Sequence, residues 1–252
     1  MNVYLKNIFS EAGNVTLFSV RFFKEVFKFP FEIKEFFKQC YYIGYKSLPL
    51  VGITGFIMGL VLTLQSRPTL AEFGAESWLP GMVALSLIKE IAPVITALIC
   101  AGKISSGIGA ELGSMKVTEQ IDAMEVSGIN PYKYLVVTRI LAATLMVPVL
   151  VVFADAIGII GGYAGININS KLSLVRYVAQ VLASIDFIDI FPATIKTFFF
   201  GFFIGMIGSY KGYTAANGTE SVGKAANSAV VVASLTIFII DMLSVQITDL
   251  FF

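Results

Sequence analysis

The hydrophobic pattern contains five apolar stretches that are long enough to cross a bilayer as helices. A helix needs about 20 apolar residues to span roughly 30 Å of hydrocarbon. All five approach or exceed that length, and the second continues with a helical pattern toward Gly113. The stretches lie at about 48–65, 81–100, 134–166, 191–210 and 226–247. The pattern therefore predicts an all-α integral membrane protein with five transmembrane helices.

The first 46 residues follow another pattern, in which phenylalanines alternate with charged residues. Apolar residues recur at helical spacing, as at Phe22, Val26 and Phe29. This predicts one or two amphipathic helices, broken near Pro30, that lie flat in the membrane interface. A soluble helical hairpin is the alternative. We thus divide the chain into interfacial helices at 1–46 and a five-helix transmembrane domain at 47–252.

The composition agrees with a membrane protein and excludes several kinds of chemistry. Of 252 residues, 56% are hydrophobic and 14% are charged, against roughly a quarter charged in soluble domains. A net charge of +1 excludes an electrostatic nucleic-acid binder. The absence of histidine excludes His-based triads and H-E-x-x-H zinc sites, and two cysteines exclude a Cys-rich zinc site. We therefore expect no catalytic residue and no metal site.

The basic residues predict the orientation of the chain, because cytoplasmic loops of membrane proteins are enriched in Lys and Arg. If the N-terminus is cytoplasmic, 13 of the 18 basic residues lie on the cytoplasmic side. The opposite side holds Arg67, Lys171 and Arg176. Five crossings then place the C-terminus on the outer side.

The second stretch carries small residues at every fourth position. Ala97, Ala101, Ser105, Gly109 and Gly113 share one helix face, and small residues allow close helix packing in membranes. The stripe packs within the chain or against a second copy. Three pairs with the same spacing occur elsewhere: Gly55 and Gly59, Gly161 and Gly165, and Gly201 and Gly205.

Two charged residues, Lys89 and Glu90, lie inside the second stretch. Charges within membrane helices are costly and usually face a cavity or a partner. Adjacent helical residues point about 100° apart, so the two cannot pair equally well with one neighbour. They form either an inter-helix ion pair or a polar spot in a substrate cavity. Pro93 should loosen the helix beside them.

Two lone acids, Asp155 and Asp241, lie in the third and fifth stretches. Their sequence contexts lack the motifs of intramembrane aspartyl proteases, so we expect each to join a polar cluster or face an aqueous cavity. Together with Glu90 they permit an alternative function, an ion- or proton-coupled secondary transporter. Such transporters usually have internal repeats, which this chain lacks.

Residues 218–224 match most of a P-loop, G-x-x-x-x-G-K. Ala225 stands where Ser or Thr would hold magnesium, and the segment follows a membrane helix instead of a strand. We expect a connecting loop, so any ATP and Mg²⁺ must bind to another chain.

The segment between the second and third stretches predicts a short cytoplasmic helix at about 119–127. Thr118 is a plausible N-cap, and Gly128 a plausible C-cap. Val117 shares one helix face with Ile121 and Met124, and the acidic residues occupy the other face. An amphipathic helix of this kind suits docking into a partner. An ordinary connecting loop is the alternative. The candidate docking residues are Glu119, Gln120, Ile121, Asp122, Met124 and Glu125.

Three runs in this region resemble a known family. They are Lys-Glu-Ile-Ala-Pro-Val at 89–94, Ala-Gly-Lys-Ile-Ser-Ser-Gly-Ile-Gly-Ala-Glu-Leu-Gly-Ser-Met at 101–115 and Thr-Glu-Gln-Ile-Asp-Ala-Met at 118–124. These runs are similar to the signature of the MlaE (YrbE) permeases, the membrane subunits of ABC transporters that work with MCE-domain proteins. The resemblance covers about residues 45–250.

The resemblance implies a non-enzymatic permease subunit in the inner (cytoplasmic) membrane. Two copies would form the core, and each would dock helix 119–127 into a cytoplasmic ATPase that binds ATP and Mg²⁺. A periplasmic MCE protein would sit on the outer side, and phospholipid would move between the two membranes of a diderm envelope. A chloroplast inner envelope is the other known setting. The implied substrate path includes Leu60, Leu64, Gln65, Lys89 and Glu90.

Overall fold

The chain folds almost entirely into helices. The computed structural model describes the backbone of residues 2–168 and 171–251 and the side chains of residues 13–168, 171–248 and 250. Within these ranges there is no β-strand. The α-helices are α1 (Asn2–Val26), α2 (Ile33–Ile43), α3 (Leu48–Glu72), α4 (Leu79–Ser86), α5 (Ala92–Cys100), α6 (Ser106–Val117), α7 (Gln120–Val126), α8 (Thr138–Asn167), α9 (Leu174–Ser184), α10 (Phe187–Tyr213) and α11 (Thr219–Phe251).

Five helical runs are long and apolar enough to cross a membrane, which confirms the predicted number. Each contains one of the predicted stretches and extends beyond it, because the helices continue past the hydrocarbon-length core. The second run joins α4, α5 and α6 through two π-helical turns, Leu87–Ile91 and Ala101–Ser105. The runs are Ile33–Glu72, Glu76–Val117, Tyr132–Asn167, Phe187–Tyr213 and Thr219–Thr248.

Helix α8 occupies the centre of the bundle, with α3 and α10 packed against it. The three glycine pairs make these contacts. A Cβ added at Gly55 would lie 2.8 Å from the Ala154 carbonyl oxygen on α8, and one at Gly205 would lie 2.9 Å from Ile140 Cα. Only a hydrogen at these positions allows the backbones to approach so closely.

The stripe of small residues packs inside the chain. Ala97, Ala101 and Ser105 are fully buried. A Cβ at Gly109 would contact Ala229 of α11 at 3.4 Å. On α10, a Cβ at Gly208 would meet the Ser105 backbone. The stripe therefore forms an intrachain seam, and the alternative of a contact with a second copy is wrong for these residues.

The N-terminal part contains two helices, with a break at residues 27–32 that includes Pro30, as predicted. Helix α2 packs against α8 and continues into α3 through a short 3₁₀ turn at Tyr45–Ser47. The interfacial position of these helices stays a prediction. Met1 and Phe252, the outer limits of the two predicted regions, lie outside the described residues.

Candidate functional site

A charged pocket lies between the second, fourth and fifth membrane runs. Lys89 and Glu90 reach it from the π-helical turn Leu87–Ile91. Pro93 lacks the N–H that would bond to the Lys89 carbonyl, and here the helix widens, so that the Ala92 N–H bonds to Leu87 O. The predicted loosening by Pro93 is thus observed as a π-helical turn, a feature frequent at functional sites.

Three ion pairs connect the helices around this pocket. The Lys196 ammonium on α10 donates to Glu90 Oε2 at 2.7 Å and to Asp241 Oδ1 on α11 at 2.9 Å. The neighbouring Lys89 ammonium pairs with Asp189 Oδ1 on α10 at 2.8 Å. Lys89 and Glu90 thus pair with different residues, as predicted from the angle of about 100° between their directions around the helix.

The members of this network differ in their burial. The Lys196 side chain is 3% exposed, whereas the Glu90 side chain is 46% exposed. Lys196 is therefore neutralised inside the bundle, while Glu90 keeps a free side that faces the pocket. A buried charge of this kind requires its partners, because removing one leaves an uncompensated ion in a low-dielectric interior.

The pocket has room for a small polar group. Its volume is about 80 Å³, and Ser244 and Thr248 of α11 also line it. Charged groups of both signs and hydroxyl groups line the pocket, next to the apolar Ile188 and Val245. This arrangement can bind a charged headgroup while apolar chains remain among the helices.

The structure combines the two alternatives weighed for Lys89 and Glu90, since both residues form inter-helix ion pairs and both line the pocket. The roles of Lys196 and Asp189 were not predicted from the sequence. A signal existed for Lys196, because a lone lysine in the fourth stretch requires an acid on another membrane helix. No comparable signal marked Asp189, which lies just before the predicted stretch.

The other predicted path residues, Leu60, Leu64 and Gln65, lie on α3. Leu60 and Leu64 are half-buried, and Gln65 is exposed. None of the three is among the described residues that line the charged pocket. Their part in a substrate path stays a prediction.

Asp155 stands apart from the charge network. It lines a separate, mostly apolar cavity with Ile88, Pro93 and Thr194, and its Oδ1 has no hydrogen-bond partner among the described residues. The expectation that each acid joins a polar cluster or faces an aqueous cavity is confirmed for Asp241, which pairs with Lys196. Asp155 lines a cavity instead of a charged cluster, and the presence of water there stays a prediction. A relay through all three acids is not observed, because Lys196 joins Glu90 to Asp241 only.

Helix α7 lies between the second and third membrane runs, as predicted, and spans Gln120–Val126. Ile121 is 2% exposed and Met124 packs on the core, so the apolar face is covered by the chain itself. The three acids stay exposed: Glu119, Asp122 and Glu125. Asp122 pairs with Lys116 at 2.9 Å.

Of the two predicted caps of this helix, the N-terminal one is wrong and the C-terminal one is confirmed. Thr118 as N-cap is wrong, because its hydroxyl donates to the Ser114 carbonyl and ends α6. Glu119 occupies the N-cap with a left-handed φ of 58° and no side-chain cap. The prediction that Gly128 caps the C-terminal end is confirmed, since this residue has a φ of 78°. Its N–H bonds to Glu125 O, and the next N–H bonds to Met124 O, a Schellman motif.

Helix α1 braces the link from α7 to α8. The Tyr132 hydroxyl donates to the Phe18 carbonyl. The Asn130 amide donates to Glu25 Oε2 at 3.0 Å. The hydrogen bond from Lys28 to Glu25 holds the pKa of that carboxyl below its usual range. Helix α1 thus holds the segment that follows α7.

The P-loop-like segment forms a turn and the first part of α11. Gly218 has a φ of 103°, and Lys224 pairs with Glu220 one helical turn away at 2.8 Å. The segment leads from α10 into α11. The segment therefore connects the two helices as predicted, but the predicted loop is wrong for residues 219–224, which are helical.

Comparison with known proteins places the chain among membrane transport subunits. The family model described as "Permease MlaE" matches residues 36–247. A probable ABC transporter permease protein of Rickettsia typhi is 39% identical over 245 residues, which cover 96% of this chain and 92% of that protein. The intermembrane phospholipid transport system permease protein MlaE of Haemophilus influenzae is 35% identical over 212 residues, which cover 82% of this chain and 79% of that protein.

A chloroplastic relative from Arabidopsis thaliana, TRIGALACTOSYLDIACYLGLYCEROL 1, is 32% identical over 79% of this chain and 57% of its own length. These relatives favour an ABC transporter permease over the alternative of a secondary transporter. Such a permease subunit is not itself an enzyme. From the match over most of its length, the chain belongs to the MlaE permease family.

Proposed function

We propose that this chain moves phospholipid between the inner and outer membranes of a diderm envelope, as the membrane subunit of an ABC transporter. The observation that carries the proposal is the pocket in which Glu90 remains half-exposed while buried Lys196 holds it in place. Charged side chains between membrane helices suit a phospholipid headgroup, which carries charges of both signs or one negative charge.

The energy for transport comes from a separate subunit in this proposal. A cytoplasmic ATPase binds ATP and Mg²⁺ and docks on α7, whose acids are exposed while its apolar face is covered. A second copy of the chain completes the transmembrane core, and a periplasmic MCE-domain protein receives or delivers lipid. The name of the Haemophilus influenzae relative supports phospholipid as the substrate.

The placement in the membrane follows from the basic residues. The N-terminus and α7 face the cytoplasm, and the C-terminus faces the periplasm of the inner membrane. The charged pocket then lies toward the periplasmic side, because Asp189 is near the start of α10 and Thr248 near the end of α11.

Purification of the tagged chain from its native membrane tests the proposal. Mass spectrometry should identify an ABC ATPase, an MCE-domain protein and enriched phospholipid, relative to an unrelated membrane protein prepared in the same detergent. Glu90→Gln keeps the side-chain volume and removes the charge. It should reduce lipid transfer between vesicles at least tenfold while the co-purified subunits remain.

Two results would count against this assignment. Recovery of the chain without any ATPase would remove the energy source. An equal loss of folded protein and transport in Glu90→Gln would limit Glu90 to a structural ion pair.

A further inference from the structure

A second, larger pocket lies at the other end of the bundle, the end that carries α7. It holds about 370 Å³ between α2, the 3₁₀ turn Tyr45–Ser47 and α6. Its apolar wall consists of Ile43, Ile104 and Ile108. This pocket shares no lining residue with the charged pocket around Glu90.

The polar side of this pocket offers donors. Ser47 lines it, is 1% exposed, and has a hydroxyl without a partner among the described residues. A buried hydroxyl in a native protein normally has a hydrogen-bond partner, so its isolation indicates a group that binds there. Lys38 and Lys103 also line the pocket.

The acids near this pocket already have partners. Glu111 lines the pocket and is held by the Arg139 guanidinium at 2.8 Å. Glu35 accepts from Gln39 at 2.7 Å and from Lys38 at 3.3 Å. The Lys103 ammonium donates to the backbone carbonyl of Lys46, and none of the carboxylates that the structure describes forms an ion pair with it. The pocket therefore favours an anion.

The surroundings place this pocket at the level of lipid headgroups. Tyr41, Tyr42 and Tyr45 are exposed around it, and tyrosines at the end of a membrane helix mark the membrane–water interface. The Lys46 ammonium lies 3.9 Å from the centre of the Tyr42 ring. Its positive charge adds to that of Lys103 at this level.

We propose that this pocket binds the phosphate group of an acidic phospholipid such as phosphatidylglycerol. The lysine ammoniums attract the headgroup, and the Ser47 hydroxyl donates to a phosphate oxygen. The three isoleucines contact the beginning of the acyl chains. Basic pockets between membrane helices are suited to acidic headgroups. The site depends on the membrane placement of the chain and is independent of transport through the Glu90 pocket.

Two glycines allow a matched test of the location. A Cβ added at Gly107 or at Gly102 meets nothing within 4 Å, so a side chain can begin at both positions without a clash, and we expect leucine to be tolerated at each. Gly107 lines the pocket, whereas Gly102 is not among its lining residues. Native mass spectrometry of the purified, delipidated full chain would measure binding of phosphatidylglycerol and of phosphatidylcholine.

We expect the wild-type chain to bind phosphatidylglycerol about tenfold more tightly than phosphatidylcholine. Gly107→Leu should abolish that preference, and Gly102→Leu should keep it. Lys103→Gln should reduce the preference several-fold, and Lys224→Gln, at the same end of the bundle but outside the pocket, should leave it unchanged.

Three outcomes would overturn the proposal. Equal binding of both lipids would remove the phosphate specificity. A loss of preference in Gly102→Leu equal to that in Gly107→Leu would place the lipid elsewhere. Displacement of phosphatidylglycerol by millimolar inorganic phosphate would make this a site for free phosphate instead of lipid.

Discussion

Lys196 has the most constrained environment among the charged residues of the pocket. It lies inside the bundle and neutralises two acids on two other helices, Glu90 and Asp241. Lys196→Met leaves those carboxylates facing each other without a cation. Breaking a buried pair by removing one partner costs about 3–5 kcal/mol. We therefore expect a large loss of folded protein, measured by thermal unfolding and gel filtration in detergent.

A compensating variant separates this electrostatic effect from lost packing. Lys196→Met combined with Glu90→Gln and Asp241→Asn removes all three charges and should restore most of the folded protein. Lys224→Met serves as a control, since both members of its pair are largely exposed. If the triple variant is as unstable as the single one, the lysine acts through its aliphatic chain.

At the scale of the helix, the seam between α10, α11 and the second membrane run sets the packing. Ala101 is fully buried in this seam, whereas a Cβ at Gly102 meets open space. Ala101→Leu should overpack the seam and cost about 1–3 kcal/mol. Gly102→Leu should cost little. The difference between the two melting temperatures measures the effect, and equal values would show that the seam tolerates a larger side chain.

The helices could be predicted from sequence because a membrane imposes a length and a hydrophobicity that one stretch must satisfy alone. The end of α7 could also be predicted from the local sequence, since Gly128 permits the positive φ that the Schellman motif requires. The start of α7 could not be predicted in the same way. Glu119 adopts a left-handed conformation that its residue type disfavours, so the fold overrides the Thr118 cap.

The partners of the charged residues could not be predicted from sequence either. Lys196 lies 106 positions from Glu90 and 45 from Asp241, and only the packing of three helices brings them together. Pattern and spacing locate a charge in a membrane helix, but they do not show which helix faces it. For the same reason the stripe at Ala97 and Ala101 left two kinds of neighbour open.

At the scale of the whole molecule, the distribution of basic residues predicts which side of the membrane each end faces. Lys171 lies before α9, and Glu125 lies on α7. After replacing Cys40 and Cys100, a single cysteine at Lys171 should react with an impermeant maleimide added outside the cell. A single cysteine at Glu125 should react only after the membrane is opened. The reverse pattern would invert the predicted orientation.

The exposed acids of α7 lead to a prediction about assembly. Ile121 anchors the helix in its own chain. We therefore expect an ATPase partner to contact the outward side, where Val126 is 91% exposed beside Glu119 and Glu125. An acidic surface favours basic residues on a partner, and such pairs mainly set orientation and association rate. Glu119→Lys with Glu125→Lys should therefore release the ATPase or uncouple ATP hydrolysis from transport.

The design leaves Asp122 unchanged, because this residue already pairs with Lys116 and its reversal would place two lysines together. Asp122→Asn is the matched control: it removes one acid of the same helix without creating repulsion, and it should keep the ATPase bound. Both variants lie outside the membrane runs, so gel filtration should show an intact permease in each case. Co-purification and lipid-stimulated ATP hydrolysis then decide the question. Normal binding and normal hydrolysis in the double lysine variant would make α7 a plain connection between two membrane helices.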